Sequence, residues 1–292
     1  MTKRVLLTGA TGLIGRGVWA ELRNRHEVVL TSRNSSDLPI NQFVPFDFGR
    51  TELIQDFLDK ARPSVIVHTA AMTSIEEVFN NPRDAKRLNV DAVSEIALWC
   101  EKNGSRLIHF SSDFVFDGER TDYNEADLTN PLSSYGRTKL ESEKVVQLNL
   151  RNHLIIRPIL VYGYFENLTR MNFPLLIASK LGSGERMSIT EDQIRMPTHI
   201  SDITEVIRKA LFSNDRGILH LSGPEALSVY EFALKVAESF QLDANLLIPV
   251  KTKVDNVSEN RPLKSGFDLE RAKRIFDYHP KSIEEGLRLF PI

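Results

Sequence analysis

The 292-residue chain has one cysteine, Cys100, which excludes an internal disulfide framework and a cluster of thiolate metal ligands. It has no apolar run near the roughly 18 residues that a membrane-spanning helix requires. Its first strand-like stretch, Lys3-Arg4-Val5-Leu6-Leu7-Thr8-Gly9, is too short for a secretory signal and lacks a small-residue cleavage site, so a cytoplasmic location is expected. The four Asn-x-Ser/Thr matches at Asn34, Asn103, Asn167 and Asn256 are then read as chance. No basic excess is present: Lys plus Arg total 37 against 39 for Asp plus Glu. Binding to a nucleic-acid backbone is therefore not expected. The seven histidines form neither His-x-x-x-His nor Glu-x-x-His, so no metal site is expected. Neither a Gly-x-Ser-x-Gly elbow nor a Gly-Lys-Ser/Thr loop occurs, against a hydrolase of that type and a P-loop ATPase.

What is present is an ordinary globular composition, 41% hydrophobic and 26% charged, long enough for two domains. Through the first half, short β-branched runs alternate with amphipathic stretches. The runs are Arg4–Thr8, Glu27–Thr31, Phe43–Phe46, Val65–His68, Arg106–Phe110 and Leu154–Arg157. The helical patterns are Leu13–Asn24, Thr51–Ala61, Pro82–Lys102 and Tyr135–Leu150. Successive apolar positions, as in Val65-Ile66-Val67, suit strands covered on both faces. The alternation predicts an α/β fold, a doubly wound parallel sheet with right-handed crossovers. After Gly163 helices dominate, with a return strand at Ile218–Leu221. The expected division is a dinucleotide-binding domain over 1–163 with a returning segment near 196–222. A smaller, mainly helical substrate lobe then comprises 164–195 and 223–292.

Gly9-Ala10-Thr11-Gly12-Leu13-Ile14-Gly15 falls between the first strand and the first helix. Glycines there let the chain turn sharply and bring a pyrophosphate to the helix N-terminus, where unpaired amides and the dipole hold it. The spacing is Gly-x-x-Gly-x-x-Gly rather than the usual Gly-x-Gly-x-x-Gly. The second strand ends Leu30-Thr31-Ser32-Arg33-Asn34, with no acid before Asp37. A carboxylate would repel a 2′-phosphate, whereas Ser32 and Arg33 can donate to one. NADP(H) is therefore expected, with NAD(H) and a role for Asp37 as the alternative. Asp47-Phe48 would either reach the adenine or make a turn.

Tyr135-Gly136-Arg137-Thr138-Lys139 stacks a tyrosine and a lysine at i and i+4 on one helix face. A phenol titrates near pH 10, and a neighbouring ammonium is expected to bring Tyr135 toward the working range. Ser111-Ser112-Asp113 follows a strand at the carboxyl edge, where ligands bind in such sheets. Ser112 can then donate to the same substrate oxygen as Tyr135.

Together these motifs resemble the extended short-chain dehydrogenase/reductases, and among them the dTDP-4-dehydrorhamnose reductase family. The matching stretches include Gly9–Gly15, His68-Thr69-Ala70-Ala71, Asn89-Val90, Ser111–Gly118, Pro131–Lys139, Arg157-Pro158, Val161-Tyr162-Gly163, Pro197-Thr198-His199 and Arg261-Pro262. The resemblance implies a Rossmann-type fold, a nicotinamide cofactor, and Ser112, Tyr135 and Lys139 as the catalytic set. It also places Thr69, Ala70, Ala71, Asn89 and Arg157 on the cofactor side. Phe114 stands where related dehydratases carry a glutamate, so dehydration is not expected. A nucleotide-sugar epimerase remains an alternative. The implied reaction is reduction of a 4-keto-6-deoxy nucleotide sugar, with Asp113 either on a sugar hydroxyl or capping the following turn, and Arg195 and Arg261 on the diphosphate. Arg195 departs from the small residue of the reductases and is more similar to the regulatory β subunits of methionine adenosyltransferase. A non-catalytic NADP-binding regulator is therefore the competing reading. A homodimer through Pro82–Lys102 and Tyr135–Leu150 is a further expectation.

Overall fold

A computed structural model describes residues 2–34, 38, 39, 41–252 and 260–291. Asp37 and Asn256 lie outside the described residues. Five strands come from the first half: β1 (Arg4–Thr8), β2 (Glu27–Thr31), β3 (Val65–His68), β4 (Arg106–Phe110) and β5 (His153–Pro158). With Gly217–Leu221 they form one six-stranded sheet, ordered Gly217–Leu221, β5, β4, β3, β1, β2. Every pairing in it is parallel. The expected strand Phe43–Phe46 does not form; only Phe43 bridges to Leu30. The segment still runs beside β2, with the Val44 amide donating to the Leu30 carbonyl at 2.8 Å and the Phe46 amide to the Ser32 carbonyl at 3.0 Å.

The two-residue period of the strands sorts the core. Leu7, Val67, Ile108 and Ile156 face one side, against α1 (Leu13–Leu22) and α8 (Ile200–Ala210). Leu6, Ile66, Leu107 and Ile155 face the other, against α2 (Ile54–Ala61), α5 (Ala92–Asn103) and α6 (Ser134–Asn149). Cys100 is fully buried in this second layer. A third core joins α7 (Phe173–Gly182) and α9 (Val229–Ser239) with Ile283, Leu287 and Phe290. The lobe boundary differs from the expected one. Phe267, Leu269, Ala272, Phe276 and Tyr278 pack on the main sheet, because this segment is apolar on the face it turns to the strands.

The pattern Pro82–Lys102 is not one regular helix. It divides into α4 (Pro82–Lys86), a π-helical turn at Arg87–Asp91 and α5. Such a turn re-aims side chains and is common at functional sites; here Asn89 is buried in it. Short helix α3 (Ile75–Asn80) precedes α4. Among the described residues no helix is long and apolar enough to cross a membrane.

Candidate active site

The parallel sheet brings the carboxyl ends of β1, β3 and β4 together, and the predicted motifs follow those ends. Gly9 turns the chain with φ +65°, and a Cβ on Gly15 would stand 2.2 Å from the Gly9 oxygen. Packing alone demands those two glycines. Gly12 is different: a Cβ there would meet only the Gly9 oxygen at 3.5 Å, so the space beside it is open to another molecule. It caps α1 with no side-chain hydrogen bond and no acid in the first turn, leaving the amides that open a helix for an anion. Thr11, Leu13 and Ile14 are partly exposed around this turn.

The Thr8 hydroxyl holds the next edge in place by accepting from the amides of Thr69 (3.1 Å) and Ala70 (3.2 Å). The Thr69 hydroxyl donates back to the Thr8 carbonyl at 2.6 Å, and Ala71 follows, partly exposed. At the end of β2, the Ser32 hydroxyl donates to the Asn34 carbonyl at 2.7 Å. Arg33 is exposed. Asp47 makes the turn: its carboxylate accepts from the Gly49 amide at 2.9 Å. The Phe48 ring is buried among Phe46, Phe57 and His68.

Ser112 caps the 3-10 turn Asp113–Val115, accepting from the Phe114 amide at 3.3 Å. Ser133 caps α6 by accepting from the Gly136 amide at 3.0 Å. Gly136 lets α6 come close to that turn, since a Cβ there would lie 2.2 Å from the Phe114 oxygen. The approach sets the Tyr135 ring edge-on to Phe114 and its phenol at Ser112. Burial pushes the phenol up to about 12, the Ser112 hydrogen bond acts against it, and the Asp113 charge adds to it. The expected lowering of Tyr135 is not observed, because burial outweighs the Ser112 hydrogen bond that opposes it. Tyr135 is thus held as a neutral acid.

Lys139 is 3% exposed; burial brings its ammonium down to about 8, with the Glu143 charge opposing. This ammonium makes no hydrogen bond with any described residue. Its three donor hydrogens are therefore available to an acceptor from outside the chain. Asn89 braces the site: it accepts from the Met72 amide (2.8 Å) and donates to the Met72 carbonyl and the Thr138 hydroxyl. Thr138 lies inside the Tyr135–Lys139 motif, yet only the bent helix showed that it faces Asn89.

Arg157 and Arg195 differ from expectation. Arg157 is buried and forms a two-pronged pair with Glu143 at 2.8 and 2.6 Å, so its side chain belongs to the core rather than to a cofactor. Arg195, also buried, donates to the carbonyls of Ile194, Pro262 and Leu263. It pins the 262–263 segment, which also pairs through the Ile194 amide to the Leu263 carbonyl at 2.7 Å, instead of standing free for a diphosphate. Arg261 is half-exposed and pairs with Glu76 of α3 at 2.7 Å, linking the lobe segment to the rim of the sheet. Asp113 is buried and accepts from Ser112 at 3.0 Å. Burial raises its carboxyl above the usual range, with the Arg195 charge acting against that.

The histidines are structural in their geometry. His68 is brought down to about 3 by burial and then by the Lys139 charge, and contacts Thr8 at 2.9 Å. His109 contacts Ser142 at 2.9 Å. His199 caps α8 by accepting from the Ser201 amide.

Comparison with known proteins gives the same architecture. The dTDP-4-dehydrorhamnose reductase of Bacillus anthracis str. Ames, solved in complex with NADP, matches with a TM-score of 0.86 at 26% identity, covering 99% of both chains. Methionine adenosyltransferase 2 subunit beta of Bos taurus is 34% identical over 280 residues, 94% of this chain and 82% of that protein. A Haloferax volcanii protein named probable low-salt glycan biosynthesis reductase Agl14 is 29% identical, covering 96% of this chain and 95% of its own. A family model matches residues 3–290, and the chain belongs to the RmlD substrate-binding domain family.

Proposed function

We propose that this chain is an NADPH-dependent reductase of a 4-keto-6-deoxy nucleotide sugar, acting in the cytoplasm. The observation that carries the reading is Lys139, a nearly buried residue whose ammonium is free to donate, one helical turn from a neutral Tyr135 at Ser112. The residues fit a dinucleotide. The open face of Gly12 and the first turn of α1 would hold the pyrophosphate, Lys139 the ribose hydroxyls beside the nicotinamide, and Ser32 and Arg33 a 2′-phosphate. NADPH bound there supplies a hydride.

Ser112 and Tyr135 do the rest. Both hydroxyls would donate to the carbonyl oxygen, which holds the negative charge as it develops. Tyr135 then gives its proton to that oxygen, as a general acid must begin protonated. Phe114 offers no base, which opposes dehydration. The lobe around α7 and α9 would receive the nucleotide, with Arg261 free to exchange Glu76 for a phosphate. Exposed Leu98 on α5 and Leu148 on α6 support a homodimer through those helices.

The test follows NADPH oxidation over a panel of 4-keto-6-deoxy nucleotide sugars; turnover with at least one member is expected. A regulatory, non-catalytic protein is the second reading. It is favoured by the Bos taurus match and by Arg195, which fills space where a reductase has a small side chain. NADPH binding without turnover on any member would select it. A separate outcome concerns Arg33: removing one charge-assisted contact costs about 1.5 kcal/mol, so Arg33→Ala should weaken NADPH roughly tenfold. NADH affinity should stay unchanged, and equal loss for both coenzymes would refute the 2′-phosphate assignment.

A further inference from the structure

A serine hydroxyl has one hydrogen and two lone pairs, and the neighbours of Ser112 compete for them. The Phe114 amide donates to its Oγ at 3.3 Å. Asp113 Oδ1 lies 3.0 Å away, and the Tyr135 phenol bonds the same hydroxyl. An ionised Asp113 can only accept. It then takes the Ser112 hydrogen, and the lone pair left on Oγ draws the Tyr135 hydrogen. Both donors that the reduction needs are thereby turned from the substrate oxygen. A protonated Asp113 reverses the contact at the same distance. Its hydroxyl and the Phe114 amide then fill both lone pairs of Oγ, and the Ser112 and Tyr135 hydrogens are released together.

The surroundings of the carboxyl suit the protonated form. Asp113 is 4% exposed, and its Oδ2 is buried with no hydrogen-bond partner among the described residues. A bare, buried oxygen costs more on a carboxylate, which shares a full charge, than on a neutral acid, where it is a carbonyl short of a donor. Burial raises this carboxyl; the Arg195 charge, Ser265, Ser112 and the residue's own amide act against that. Arg195 acts by charge, while its terminal nitrogens donate to Gln193 and to the Ile194, Pro262 and Leu263 carbonyls. Tyr135 faces the carboxyl from α6 as a neutral group. Anionic ligands at this sheet edge push in the same direction as burial.

We propose that Asp113 is a positioning residue for the reduction: carrying its own proton, it donates to Ser112 and so turns the Ser112 and Tyr135 hydrogens onto the substrate oxygen. This rests on the reductase reading. The Asp113 proton is not consumed. Tyr135 gives up the proton that the substrate oxygen receives, and NADPH supplies the hydride.

Two measurements on the full chain loaded with NADPH test it. Infrared difference spectra at neutral pH, wild type minus Asp113→Asn, should show the carbonyl stretch of a protonated carboxylic acid, and need no substrate. Absence of that band overturns the proposal whatever the activity. The band without turnover on any sugar refutes the reductase reading instead, and the positioning role with it. In the pH profile of kcat, wild type should lose about a hundredfold, the contribution of one such donor, as pH rises through the Asp113 titration. Loss of the Lys139 ammonium, at about 8, gives a separate descending limb. Asp113→Asn still offers Ser112 a donor, so it should run less than about tenfold below the wild-type plateau and keep only the Lys139 limb. Ser112→Ala should also lack the Asp113 limb, because Asp113 acts through Ser112. An unaltered profile in either variant would overturn the assignment.

Discussion

Tyr135→Phe should lower kcat by about a hundred- to ten-thousand-fold, the usual contribution of a positioned general acid, while NADPH affinity changes by less than about threefold. The split follows from what the substitution removes. The ring packs against Phe114, Ile75 and Val78, and phenylalanine keeps that packing. Ser112 retains its bond to Asp113, so no new buried donor is left without a partner. Only the proton destined for the substrate oxygen is lost. Steady-state NADPH oxidation with the best substrate of the panel measures the effect, and fluorescence titration measures the cofactor. Unchanged turnover in this variant would sink the assignment of Tyr135.

Glu143→Ala should destabilise the protein by about 3–5 kcal/mol, the penalty for stranding one half of a buried ion pair. Glu143 and Arg157 are 1% and 2% exposed, and both prongs of the guanidinium are used. The remaining Arg157 contacts do not compensate. The third nitrogen contacts His220 at 3.2 Å, and the Phe116 ring lies 5.0 Å away; neither carries a formal negative charge. Urea unfolding at neutral pH measures the loss. Replacing both partners, as in Glu143→Leu/Arg157→Met, should recover most of it, because well-packed apolar residues often replace a buried pair without penalty. A loss below about 1 kcal/mol in Glu143→Ala would show that water reaches Arg157.

These two residues mark the difference between motif and context. Tyr135 and Lys139 are readable as a pair because an α-helix places i and i+4 side by side. The titration of Tyr135 was not readable, since it depends on how far the 112–115 turn and α3 shield the phenol. Arg157 sits beside a proline in a family motif, and nothing local to it announces Glu143 as its partner. Arg195 and Arg261 likewise looked like one diphosphate clamp, but the fold gives one to peptide carbonyls and the other to Glu76.

The chain's own residue order determined the six parallel strands, the glycine turn and the placing of Ser112, Tyr135 and Lys139 at one sheet edge. These depend on periodicity, turn chemistry and strand polarity, all of which act over a few residues. Tertiary structure alone decided which arginines are buried and which neighbours they meet. It also decided how the π-helical turn aims Asn89 and where Phe267–Tyr278 packs. Such outcomes depend on contacts between residues far apart in sequence, and burial and charge there are properties of the assembled neighbourhood rather than of any one segment.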